Sequence, residues 1–164
     1  MIALDLAEQL GGIPPQLATM LIAALPIVEL RGALPVALEL WNLPAWQAYT
    51  FSVLGNCLPL IPLFFGLAWL RKGLLNVWPS LVKPIDWYIN RSHQKLKSHY
   101  ETYGAIALFF FTAIPLPLTG LYTATVAAVA LKIPLKQAGP AIIAGVLVSG
   151  LLMLIITKSV VTLT

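Results

Sequence analysis

Glu29 and Arg31 stand two positions apart in the stretch PIVELRGALP, residues 26–35, between long apolar runs. A carboxylate in such a setting can hold a proton or a cation. A guanidinium can grip the anionic group of a substrate. On a regular helix these two positions do not face each other. They meet only across a turn, or through partners elsewhere in the chain. A second broken apolar stretch, AIPLPLTG at residues 113–120, offers such partners, with Thr112 just before it and Thr119 within it. Gly32 and Gly120 are expected to allow the turns, and Pro35, Pro115 and Pro117 to end short helices. Asn56, an amide in the apolar run 43–70, either faces a cavity or bonds to a neighbouring helix. The charged pair has two readings at this level: a functional site, or a buried ion pair that fixes packing.

The composition decides the solvent. Of 164 residues, 59% are hydrophobic and only 10% charged. A soluble domain carries roughly 25% charged residues. Too little charge remains to coat a water-facing surface, so a bilayer is expected. The net charge of +4 does not call for nucleic acid. The basic residues concentrate in residues 71–103, and the positive-inside rule accounts for them as a cytoplasmic connector. Trp78, Trp87, Tyr88, Tyr100 and Tyr103 interleave with those charges. An interfacial amphipathic helix after Pro84, lying against membrane lipids, fits that pattern.

Other chemistry finds little support. His93 and His99 are six residues apart, not the i, i+4 spacing of two ligands on one helix face. No phosphate-cradling loop and no nucleophile–base pair stands out. Neither an enzyme, a metal nor a cofactor is expected. Cys57 has no disulfide partner in the chain and reads as a small hydrophobe. The N-terminal MIALDLAEQLGG lacks a basic segment and does not read as a signal peptide.

Four apolar blocks must position the charged pair: residues 13–28, 43–70, 104–131 and 137–157. About 20 apolar residues cross the hydrocarbon core. The second and fourth blocks qualify, the first is short, and the third is broken by Pro115, Pro117 and Gly120. The two halves are similar in order. Pro26 aligns with Pro115, Gly32 with Gly120, Pro44 with Pro134 and Gly55 with Gly145. Matched broken segments point to a transporter-type fold. The predicted fold is an all-α integral membrane protein built as an inverted repeat. The first repeat is a re-entrant hairpin at 13–42 and a span at 43–70. The second is a hairpin at 104–132 and a span at 137–157. Both termini are then extracytoplasmic.

A plain four-helix topology competes with this one. The re-entrant arrangement leaves eight of nine basic residues on the cytoplasmic side, with Arg31 at a hairpin tip. The four-helix arrangement leaves seven of ten. Charge favours the first. Each tip charge at the bilayer centre costs about 2.5–3.5 kcal/mol even on insertion scales, so the tips are expected to meet and cover each other.

The motifs ELRGALP at 29–35 and AIPLPLTG at 113–120 resemble those of the bacterial small multidrug export protein family, over roughly residues 20–158. Leu118 stands where that family's pattern has glycine. The family looks like a distant relative of the DedA superfamily, whose members have opposed re-entrant hairpins and in some cases move lipid-phosphate carriers. The resemblance implies a bacterial inner-membrane location. It matches Glu29 and Arg31 to a charged hairpin tip, although no arginine lies between residues 104 and 131. The leading expectation is a small transporter or lipid-carrier flippase, proton- or cation-coupled and a homodimer, acting on a lipid-phosphate or lipophilic substrate. The alternative is a non-transporting membrane subunit that assists a larger complex. Small residues along block four, such as Ala141, Gly145 and Ser149, suit close helix packing under either.

Overall fold

The computed structural model describes residues 2–10, 12–77, 97–116 and 119–163. The expected interfacial helix after Pro84, most of the basic connector, and Pro117 with Leu118 lie outside the described residues. Eight helices occur among those described: α1 (Ile2–Gln9), α2 (Pro15–Ala23), α3 (Glu29–Glu39), α4 (Ala45–Cys57), α5 (Leu60–Val77), α6 (Lys97–Ala113), α7 (Leu121–Ala130) and α8 (Leu135–Leu163).

Two shorter helices precede each of the 26-residue apolar stretches Ala45–Leu70 (α4 and the start of α5) and Leu135–Val160 (within α8). α2 and α3 pack on each other and on α4, while α6 and α7 pack on each other and on α8. The link into each stretch carries one left-handed residue at the same place. Asn42 and Lys132 both take left-handed conformations, with φ of 49° and 58°. Each stands two residues before a proline, Pro44 and Pro134, that opens the next helix. The Leu43 N–H returns to the Ala37 carbonyl and the Ile133 N–H to the Ala128 carbonyl, both at 2.9 Å. Asparagine accepts left-handed geometry readily and lysine less so; the returning bond spans six residues in the first link and five in the second.

Close backbone approach follows the same plan. A Cβ on Gly55 would lie 2.6 Å from the Cα of Met20 on α2. One on Gly145 would lie 2.8 Å from the carbonyl oxygen of Phe109 and 2.7 Å from the Cβ of Thr112 on α6. Each stretch thus rests a glycine against the first of the two helices that precede it. α4 and α8 also meet, and the Tyr49 hydroxyl donates to the Leu147 carbonyl at 3.1 Å.

The core is apolar and the outside is too. Leu30, Leu34, Leu121, Ile142 and Val146 are buried in one cluster. A smaller cluster joins Ile22, Ala23, Ala33 and Val36, and α1 covers it with Ala3 and Leu6. Asp5 and Glu8 on α1 stay exposed. Buried threonines donate to the carbonyl four residues back, as Thr19 does to Pro15 and Thr125 to Leu121, both at 2.7 Å. This satisfies a hydroxyl without leaving the helix. Outward-facing Trp46, Phe65, Trp69, Leu151 and Ile155 are exposed. Two stretches of 26 residues, Ala45–Leu70 and Leu135–Val160, are long and apolar enough to cross a membrane, and only 22% and 33% of the respective windows are buried. The core helix of a water-soluble protein would be mostly buried; these present their apolar surface outward.

The block at 43–70 does hold one candidate span, Ala45–Leu70, with a turn at Leu58 and Pro59 between α4 and α5, where proline has no N–H to continue the ladder. Two expectations need correction. Gly32 makes no turn. The first tip is residues 24–28, and ELRGALP forms the start of α3, with Gly32 in its first turn. Pro35 ends no helix either: it lies inside α3 and removes the donor that the Arg31 carbonyl would otherwise receive. Pro115, by contrast, does follow directly on the end of α6.

The glycine contacts make a stability prediction. Gly55→Ala and Gly145→Ala each press a methyl into backbone and should cost about 1–3 kcal/mol. Gly66→Ala meets open space within α5 and should be neutral or gain up to about 1 kcal/mol. Thermal unfolding of the three variants in detergent checks this.

Candidate functional site

Both tips carry an excess of one kind of backbone group. Helix ends leave N–H groups unsatisfied at the start and carbonyls at the finish. The loop after α6 adds to this, because Pro115 and Pro117 contribute carbonyls and no donors. Arginine is the reverse, with five N–H donors and no acceptor.

Arg31 reaches from α3 to that loop. Its Nη1 donates to the Leu116 carbonyl. Its Nη2 donates to the Thr119 carbonyl, lies 3.1 Å from Thr119 Oγ1 and reaches the Ile114 carbonyl at 3.4 Å. Thr119 Oγ1 closes the loop internally, 2.9 Å from the Ile114 carbonyl and 2.8 Å from that of Leu116.

Glu29 takes the opposite pole. Gly120 precedes α7 and has no side chain to cap it, and the carboxylate of Glu29 stands in that place. The backbone N–H of Tyr122 lies toward it. A negative group at a helix N-terminus is favoured by the helix dipole as well as by the free N–H groups. Gly120 has extended backbone, φ 178°, which any residue can adopt. Its requirement is space: a Cβ there would fall 2.6 Å from Glu29 Oε1 and 2.7 Å from its carboxyl carbon. Glu29 itself holds a left-handed φ of 52°, a strain of about 1–2 kcal/mol for a residue with a Cβ.

The Tyr122 hydroxyl completes the exchange by donating to the carbonyl of Ala24, at the end of α2. Each tip thus finishes the helix ends of the other.

Two cavities meet at Glu29, Arg31 and Gly120. The outer one has a volume of about 480 Å³. Pro26, Ile27 and Val28 wall it on one side, Thr119, Tyr122 and Thr123 on the other. The inner one, about 10 Å³, is bounded by Asn56, Thr112 and Ser149 among apolar neighbours. Asn56 and Thr112 are 4% and 2% exposed.

Most of the residues named from sequence therefore come together: Glu29, Arg31, Thr119 and Gly120 at both cavities or the tip itself, Asn56 and Thr112 at the inner one. Pro115 shapes the loop whose carbonyls Arg31 collects. Gly32 and Pro35 do not join them. The bare side of Gly32 is covered by Val28 and lies near Ala3 of α1, and Pro35 lies further along α3. Sequence reasoning missed Tyr122, Thr123 and Ser149 as lining residues. The run TGLYT at 119–123 carried the signal, since polar groups directly after a break are placed to line it. Among the described residues no cluster of three or more His, Cys, Asp or Glu could hold a metal ion.

The fit of Gly120 to Glu29 can be tested by a double-mutant cycle. Gly120→Ala alone should cost about 1–3 kcal/mol by overpacking. In a Glu29→Ala background the added methyl has room, and its cost should shrink to a fraction of that. Equal costs in both backgrounds would show that the carboxylate does not occupy this place.

Residues 29–152, about three quarters of the chain, match the family described as "Putative small multi-drug export protein". No curated protein and no solved structure matches the chain.

Proposed function

The chain belongs to the small multi-drug export protein family, a membrane protein by its match and its two long apolar helices, and from that premise we propose that it is a small secondary transporter whose substrate site is the outer cavity between the tips. That cavity carries the reading. Its volume suits a drug-sized molecule. Its walls combine apolar side chains with the Glu29 carboxylate and Arg31, and because Arg31 turns its terminal nitrogens to the loop carbonyls, the carboxylate is the group left to meet a lipophilic cation. Glu29 is the group that changes partner during the cycle, and Arg31 holds the second tip in register.

In this reading α2–α3 and α6–α7 are re-entrant hairpins that enter from opposite faces, and the two halves form an inverted repeat. The matching links at Asn42 and Lys132, the matching glycine contacts and the meeting tips support it. Irregular backbone at membrane depth is tolerated where protein or a water-filled cavity covers it, and the exchange of helix-end partners supplies that cover. The same reading includes a homodimer in a bacterial inner membrane, a cytoplasmic central connector and extracytoplasmic termini. Kinship with the DedA superfamily brings a lipid-phosphate carrier as second substrate class. The lack of arginine between residues 104 and 131 ranks it behind a lipophilic cation.

One observation favours the alternative, a non-transporting subunit of a larger complex. Glu29 and Arg31 both serve the joint between the tips, and a purely structural pair would do the same.

Reconstitution in proteoliposomes separates the two. Wild type should move a lipophilic cation down an imposed gradient. Glu29→Gln keeps the side chain's shape and should retain the fold while losing turnover by about tenfold or more, roughly 1.4 kcal/mol. Polyprenyl-phosphate translocation is measured beside it. Wild type that moves neither substrate, with an indistinguishable variant, would favour the subunit.

A further inference from the structure

The inner cavity gathers three side-chain acceptors, on Asn56, Thr112 and Glu29, with the Ser149 hydroxyl beside them. Asn56 Oδ1 is buried and has no hydrogen-bond partner among the described residues. Thr112 Oγ1 gives its hydrogen to the Leu108 carbonyl at 2.7 Å, so only its lone pairs remain for the cavity. Glu29, when ionised, offers lone pairs and no hydrogen. Arg31, the donor-rich group at the edge, has its two terminal nitrogens turned to the loop carbonyls. A volume of about 10 Å³ holds one water-sized particle. With Arg31 turned away, the remaining donors are the Asn56 amide nitrogen and the Ser149 hydroxyl, neutral groups that do not balance an anion placed beside Glu29, and leaving a buried acceptor unmade costs about 1–3 kcal/mol.

We propose that this cavity binds a single dehydrated sodium ion, with Asn56 Oδ1, Thr112 Oγ1 and the Glu29 carboxylate as its oxygen ligands. Hard cations take oxygen ligands of this kind. One carboxylate, already balanced by Arg31, suits a monovalent ion and not a divalent one. That balance also keeps binding weak, as an ion that enters and leaves each cycle requires. The inference rests on the transport reading for its purpose. Glu29 walls both cavities, so an ion on the inner side holds the carboxylate inward and its departure frees it toward the outer side.

The test is made on purified protein in detergent, titrating NaCl against choline chloride at constant ionic strength. Binding is read by calorimetry and by thermal unfolding. Sodium, but not choline, should give a saturable signal and raise the unfolding temperature. Asn56→Leu, similar in size but without the oxygen, should weaken sodium by about tenfold or more. Thr112→Val should act in the same direction and stands in if Asn56→Leu does not fold. Asn56→Asp, which adds a charge, should tighten binding. Identical responses to sodium and choline in wild type would overturn the proposal, as they would if water alone fills the cavity. So would a sodium response unchanged in both Asn56→Leu and Thr112→Val. Failure here leaves uncoupled substrate transport standing. A protein that binds sodium yet moves no substrate would instead count against the transport reading.

Discussion

The helices that end at the two tips leave backbone groups without helical partners, and the rest of the structure depends on how they are satisfied. The solution is mutual. Arg31, on the first half, supplies donors to a loop rich in carbonyls. Glu29 turns an acceptor toward the free N–H groups that open α7. Tyr122, on the second half, supplies a hydroxyl to the end of α2. Two formal charges in an apolar protein would be a liability if isolated. Here each is opposed by dipoles of the other half.

That exchange constrains what surrounds it. Glu29 must hold a left-handed backbone to aim its carboxylate, and Gly120 must lack a side chain to receive it. α4 and α8 are drawn against α2 and α6 at Gly55 and Gly145, which brings Asn56 and Thr112 up behind the joint. The result is a carboxylate with a large, mostly apolar chamber on one side and a small polar one on the other. A group so placed can report the state of either chamber to the other, because it cannot face both at full strength.

Much of this was legible in the sequence, and the failures are instructive. Scarcity of charge identified the apolar architecture, and the isolated Glu29–Arg31 pair identified the joint. The equal spacing from Pro44 to Gly55 and from Pro134 to Gly145 marked two features that recur in space. Gly32 misled because glycine was read as a turn, while in its helix the missing side chain leaves space that Val28 fills. Pro35 misled because proline was read as a terminator, although a helix can carry one where the lost hydrogen bond is tolerated. The place of Tyr122 beside the break could be read from TGLYT, but the partner of its hydroxyl could not. Its role is set by a carbonyl nearly a hundred residues earlier, and no local pattern encodes such a partner. The left-handed links at Asn42 and Lys132 were equally hidden, since lysine gives no hint of that geometry.

Arg31 grips main-chain oxygens, and main-chain oxygens belong to no particular amino acid. The loop between α6 and α7 can therefore change most of its side chains without loosening the grip. What it cannot change is its number of residues. One residue more or fewer between Ala113 and Gly120 would rotate the carbonyls away from the guanidinium and shift Gly120 from beneath the carboxylate, whatever residue was added or lost. In this short segment the fold reads length before it reads letters.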